Sequence, residues 1–407
     1  MNLLHHTLPN GIRLVHKAVP NMIAHAGLII NTGSRDETEK EHGMAHFIEH
    51  MLFKGTAKRK TYHILSSLED RGGELNAYTT KEETAVYGSF LKHDYNKAFD
   101  ILSDIVFNST FPGKEILKEK EVIIEEINSY RDTPSELIFD DFEEMIYAGA
   151  PIGRNILGSE NSLSNFNRDM IKGFIENNYD PEGMVVCSVG NISDKQILKL
   201  FNKYFGSIPV KKTGRQRSAF SDYRPGEKRI SKNTWQDHCI IGNIAYNVMD
   251  KRRLAMFLLN NILGGQGLNS RLNLSLREKN GFAYNVESNY VPYCDTGVFM
   301  IYFGTDEKNR EKSISIARRE LKRLREQKLG SSQLQKAKNQ IKGNIARGRE
   351  NHENLMLAMG KNTLLFNRME SIESLYDKID LLSSSDLLEI ANEVFAENML
   401  STLIYTR

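Results

Sequence analysis

"MAHFIEHMLFKG", residues 44–55, decides how the chain is organised, because it returns in altered form as "LAMFLLNNILGG", residues 254–265. At an offset of about 210, Ala45, Phe47 and Ile48 face Ala255, Phe257 and Leu258. His46, Glu49 and His50 face Met256, Leu259 and Asn260. The strand-like "AHAGLIINT" (24–32) ahead of the first copy is mirrored by "HCIIGNIAY" (238–246) ahead of the second. Self-similarity at a fixed offset is the mark of a duplicated unit. One copy carries a polar trio in an apolar helix, and the other does without it. A purely structural role for the trio is thereby weakened.

The bulk numbers agree with two units. A chain of 407 residues exceeds one ordinary core. With 40% hydrophobic and 26% charged residues it has a common globular balance. A net charge of +2 and a pI near 8.2 give no reason to expect nucleic-acid or membrane-surface binding. Cys187, Cys239 and Cys294 are sparse, odd in number and without a CxxC pair, which reads as three thiols in a reducing compartment. "MNLLHHTLPNGIRLVHK" has neither a basic n-region nor an apolar h-region, and no run of about 18 apolar residues follows. The expectation is a cytoplasmic protein.

Along the chain, Asn10-Gly11 predicts a hairpin between "HHTL" and "IRLVHKAV". Residues 61–73 predict a helix stopping at Gly72-Gly73, 74–91 two strands, 94–110 a helix, and 114–147 more helix interrupted around Asp132–Pro134. Residues 184–192 predict a strand. "VKKTGRQRSAFSDYRPGEKR" (210–229) has no apolar periodicity and reads as a linker whose Lys and Arg are solvated. The expected division is 1–209, a linker 210–229, and 230–407.

Positions i and i+4 share a helix face, so His46 and His50 can present both imidazoles to one ion, with Glu49 leaning toward it. A catalytic zinc takes three protein ligands and leaves a position for water, from which an adjacent carboxylate draws a proton. The HxxEH order is HExxH reversed. The competing reading is two core histidines with satisfied partners. The third ligand belongs on another element, and "LKEKEVIIEEI" (117–127) offers candidates. Glu126, i+4 from Val122 and i+3 from Ile123, sits beside the apolar face, whereas Glu125 reads as solvated. Glu119 lies two turns before Glu126 on the same face and suits an outer role, hydrogen-bonding a ligand imidazole. A solvated helix charge remains the other reading of either glutamate.

"GSRDETEKEHGMAHFIEHMLFKGT" (33–56) resembles the inverzincin metallopeptidases of the pitrilysin and insulinase family. The spacings to Glu126 and Glu119 resemble that family's third ligand and additional glutamate. "GGQGLNSRLNLSLREKNGFAYNV" (264–286) resembles its second-half motif, here with Arg277 and Tyr284. The likeness spans nearly the whole chain and is strongest to the short, processing-peptidase-like members, with a bacterial source expected. It implies an α+β fold of two homologous half-chains, each a mainly antiparallel sheet with helices packed on it, and two subunits closing as a clamshell. It also implies that a peptide adds as a strand to the edge at "LNAYTT", touching Asn76 and Ala77. Arg277 and Tyr284 would come from the second half to the substrate carbonyl or developing oxyanion.

The function so implied is a zinc endopeptidase for unfolded peptides or small polypeptides, with Glu49 as general base and His46, His50 and Glu126 on Zn²⁺. Ligand type alone does not separate zinc from Mn²⁺ or Co²⁺. Because one chain carries both motifs, a self-sufficient homodimer is expected. A non-catalytic scaffold or assembly subunit on the same fold, and the catalytic subunit of a heterodimer, are the alternatives.

Overall fold

A computed structural model describes residues 3–407. The first sheet contains β1 (Leu4–Thr7), β2 (Arg13–Ala18), β3 (Ile23–Ile30), β4 (Glu74–Thr79), β5 (Thr84–Leu91) and β6 (Met184–Gly190), in the order β1-β2-β6-β3-β5-β4. The second contains β7 (Glu227–Ser231), β8 (Asp237–Ile244), β9 (Ala283–Pro292), β10 (Gly297–Thr305) and β11 (Ser401–Thr406), in the order β7-β11-β8-β10-β9. Without β1 the two orders are the same. Each has one parallel pair, β2 with β6 and β7 with β11, and is otherwise antiparallel. The duplication read from residues 44–55 and 254–265 is therefore a duplication of topology.

The expected hairpin is present. β1 runs antiparallel to β2 with Thr7 opposite Arg13, and Gly11 turns the chain at φ +94°, a value that glycine adopts without a Cβ clash. Helices α1 (Met44–Leu52) and α2 (Thr61–Glu69) separate β3 from β4, and α3 (Tyr95–Phe107), α4 (Gly113–Arg131) and α5 (Pro134–Ile146) follow β5. The interruption expected near Asp132–Pro134 lies between α4 and α5, where Pro134 opens α5. A proline fits the first helical turn because its missing N–H has no partner there anyway.

The compact units exchange a helix. The first is built from residues up to Ile127, Arg154–Arg217 and Arg347–Ser371. The second is built from Asn128–Gly153, Ser218–Ala346 and Ile372–Arg407. Strand β6 is buried at every residue, so both of its faces need cover. On one face Val185 and Cys187, with Val15 and Ile29, meet Leu355, Met356 and Met359 of the helix His352–Phe366, which comes from the C-terminal half. Reciprocally, α5 from the N-terminal half packs Ile138, Phe142 and Ile146 against Ile240, Met300 and Leu403 of the second sheet. The fit is close enough to require glycine beneath α5. A Cβ on Gly242 would lie 2.9 Å from two ring carbons of Phe142. Phe142→Ala is expected to cost about 3–5 kcal/mol, read as a lower denaturation midpoint.

One expectation is corrected. The Lys and Arg of 210–229 were read as solvated, but Arg215 and Arg217 are largely buried. Arg217 grips Asp36 through Nε (2.9 Å) and Nη2 (2.8 Å), and Arg215 Nη1 reaches the same carboxylate at 2.8 Å. Both guanidiniums also donate to the Asn31 carbonyl. Composition alone does not reveal a buried carboxylate elsewhere in the chain that needs those charges.

Candidate active site

Helix α1 has only nine residues, so its stability comes from packing and capping more than from propensity. Gly43 starts it at φ +93°, and a Cβ there would stand 2.7 Å from the Leu157 carbonyl and 2.8 Å from Gly158 Cα. Glu37 caps the start from outside the helix, accepting from the amides of Gly43 (2.8 Å) and Ala45 (2.9 Å). That carboxyl is buried, which pushes it well above the usual range against the pull of the Ala45 and Gly43 amides and of Arg154. A carboxylate at a helix N-terminus also suits the helix dipole. Phe47, Ile48, Met51 and Leu52 fix the apolar face, with Phe47 edge-on to Phe166 at 5.4 Å.

On the remaining face, His46, Glu49 and His50 meet α4. His46 Nε2 is 3.8 Å and His50 Nε2 3.6 Å from Glu126 Oε2. One donor atom from each of His46, His50 and Glu126 lies within 4.8 Å of the others. Burial, and then the neighbouring His50, push His46 down to about 3, so its imidazole is neutral at physiological pH. Its Nδ1 is buried with no hydrogen-bond partner among the described residues, and its Nε2 stands beyond hydrogen-bond range of Glu126. A buried imidazole in that state is costly unless something else takes its lone pair. Two imidazole nitrogens and a carboxylate oxygen are a fitting donor set for zinc.

Glu119 is buried and accepts from His50 Nδ1 at 3.0 Å, so His50 turns its Nε2 toward Glu126. Burial raises the Glu119 carboxyl, but hydrogen bonds from His50 and Lys54 outweigh it and hold the group below the usual range. Glu125 is exposed, as read from the sequence. Val122 is not on the apolar face: it is 49% exposed, and Ile116, Ile123 and Ile127 form the buried stripe. Glu126 reaches His46 and His50 from the border of that stripe.

Glu49 was legible, but its partner was not. Thr79 Oγ1, at the end of β4, donates to Glu49 Oε2 at 2.6 Å. Burial raises the Glu49 carboxyl, the Thr79 hydrogen bond and His50 pull it down, and Glu126 pushes it up. Removing a donor to the charged form raises a carboxyl further. If Glu49 is the general base, Thr79→Val is therefore expected to move the acid limb of kcat/KM toward higher pH than in the wild type, because a general base works only when deprotonated. A pH–rate series on both proteins checks it.

Asn76 and Ala77 lie in β4, which among the described residues pairs with β5 alone and so forms the edge of its sheet. Asn76 is exposed and opposite Tyr87, and Ala77 is opposite Val86. Arg277 and Tyr284 belong to the second unit. The guanidinium of Arg277 lies 5.2 Å from the Tyr284 ring centroid, and Tyr284 is 79% exposed. Arg277 sits in a π-helical turn, Asn273–Glu278, a rare geometry often found at functional sites.

Residues 13–160 match the insulinase family (peptidase family M16), and residues 165–341 match the peptidase M16 inactive domain. The uncharacterized zinc protease YmxG of Bacillus subtilis is 34% identical over 402 residues, covering 98% of this chain and 97% of that one. An uncharacterized zinc protease of Rickettsia bellii is 34% identical over 401 residues, covering 98% and 96%. The chain belongs to the insulinase family of zinc proteases. Among solved structures, a protease from Helicobacter pylori superposes over the whole of both chains with a TM-score of 0.89 at 21% identity. A peptidase M16 inactive domain from Pseudomonas fluorescens, covering 100% of this chain and 98% of its own, has a TM-score of 0.92 at 18% identity. Both share the fold of two homologous halves. No helix of the described residues is long and apolar enough to cross a membrane.

Proposed function

We propose that the chain is a zinc-dependent endopeptidase that hydrolyses unfolded peptides or small polypeptides in the cytoplasm. The observation that carries this reading is the convergence of His46, His50 and Glu126 beside a half-buried Glu49. His46, His50 and Glu126 would hold the metal, and Glu119 would orient His50. When bound, zinc supplies Lewis acidity toward a carbonyl oxygen and makes water a better nucleophile at neutral pH. Glu49 takes the proton of the attacking water at Oε as the new C–O bond forms. It then gives that proton to the departing amide nitrogen as the C–N bond breaks.

The free edge of β4 offers main-chain donors and acceptors to an extended peptide, with Asn76 adding a side-chain contact and Ala77 its backbone. Strand addition favours unfolded substrates of varied sequence. Arg277 and Tyr284 would act as donors to a substrate carbonyl. The working unit we propose is a homodimer closing around a chamber.

The test is to measure metal in the purified full-length chain and follow a quenched fluorogenic peptide library with and without chelator. About one zinc per chain, with hydrolysis lost to the chelator, is expected. Absence of both would favour a non-catalytic scaffold. Zinc without hydrolysis would favour a catalytic subunit awaiting a different partner.

A further inference from the structure

Lys54 lies two residues past the end of α1, and no functional role above is assigned to it. Its Nζ lies 2.6 Å from Glu119 Oε1, while Glu119 Oε2 lies 3.0 Å from His50 Nδ1. The two oxygens of one buried carboxylate are thus divided between an ammonium and an imidazole. The Glu119 side chain is only 5% exposed and that of Lys54 is 24% exposed, so water does little to loosen the arrangement. An ammonium on one oxygen limits rotation of the carboxylate and keeps the other aimed at Nδ1.

The backbone of Lys54 is itself held. Its N–H donates to the Met51 carbonyl at 3.1 Å, and its carbonyl accepts from Thr61 Oγ1 at 3.0 Å. The chain then turns at Gly55, φ +137°, into Thr56, whose hydroxyl donates to Asp104 Oδ2 at 2.7 Å. Arg59 binds Asp104 and Asp100, each at 2.5 Å. The ammonium therefore projects from a rigid turn.

The second copy supplies an internal control. At the offset that relates the two helices, Lys54 falls on Gly264. Helix α4 corresponds to Ser331–Glu350 at an offset of about 218, which sets Ile116, Ile123 and Ile127 on Leu334, Ile341 and Ile345. Glu119 then falls on Ala337 and Glu126 on Asn344. Where the metal donors are lost, Lys54 and Glu119 are lost with them, although the helices and sheet order persist. An ion pair needed only to join these two helices would have no reason to disappear with the histidines.

The geometry points to Lys54 as a positioning residue that, through Glu119, holds the His50 ring with Nε2 toward the metal position. This rests on the zinc reading above. Partners outside the ligand set typically contribute 10–100-fold to metal affinity.

The experiment measures the zinc dissociation constant of the purified full-length chain by competition with a chromogenic chelator. Lys54→Met, similar in length and uncharged, is expected to bind zinc 10–100-fold more weakly with an unchanged near-ultraviolet dichroism spectrum. Lys54→Arg, which keeps a cation on Glu119, is expected to stay within about threefold of the wild type, by the same measure of outer-partner effects. In a Glu119→Gln background, Lys54→Met should add little, because groups acting in series are not additive. Should Lys54→Met misfold, Lys54→Gln carries the same comparison. Wild-type affinity in a folded Lys54 variant without the charge, or an undiminished effect in the Glu119→Gln background, overturns the proposal. A wild-type chain that takes up no zinc overturns the metal reading itself, a separate and recognisable result.

Discussion

Glu49→Gln is expected to lower kcat by roughly 10²–10⁴-fold while leaving about one zinc per chain. Glutamine keeps the shape and can still meet the Thr79 hydroxyl, which donates to Glu49 Oε2 at 2.6 Å in the native chain. What it loses is the capacity to hold a proton between attack and departure of the amine. The donors proposed for the metal are on His46, His50 and Glu126 rather than on Glu49, so metal content should not follow activity down. The paired measurement is elemental analysis and single-turnover hydrolysis on one preparation. A variant cutting peptides at the native rate would remove Glu49 from the mechanism.

Glu126→Gln is expected to weaken zinc binding by more than the roughly 10–100-fold that losing an outer partner costs, and to abolish hydrolysis with it. A neutral amide oxygen replaces the carboxylate whose Oε2 sits 3.6 Å and 3.8 Å from the two imidazoles. Glu125→Gln, one residue earlier and exposed, should behave as wild type in both assays. Equal zinc affinity in the Glu126 and Glu125 variants would show that the third ligand lies elsewhere.

The two glutamates also show how far local pattern reaches. Periodicity placed Glu119 and Glu126 on one side of α4 and Glu125 in solvent, and the structure agrees. Yet Val122, expected on the apolar face, is half-exposed. A helix repeat defines faces relative to one another. It does not say which face meets a neighbour when two are mixed in character. Thr79 and Lys54 were missed for a related reason. A threonine ending a strand and a lysine in the turn after a helix are unremarkable in sequence. Their meaning comes from Glu49 and Glu119, residues 30 and 65 positions away. Arg215 and Arg217 show the same limit, since a basic stretch without periodicity looks solvated until the buried Asp36 is seen beneath it.

The sequence by itself determined the duplication, the hairpin at Asn10-Gly11, the succession of strands and helices between residues 24 and 147, and the pairing of two imidazoles on one face of α1. These follow from turn chemistry and from periods of two and 3.6 residues, which act between near neighbours. Only the tertiary structure decided that α5 and the helix His352–Phe366 cover each other's sheets, that Glu126 stands 3.6 Å and 3.8 Å from the two imidazoles, and that Thr79 and Lys54 hold the carboxylates of Glu49 and Glu119. Each of those pairings joins segments far apart in the chain. What selects them is the need to cover both faces of β6 and to give every buried charge a partner, and neither condition can be read within one window of sequence.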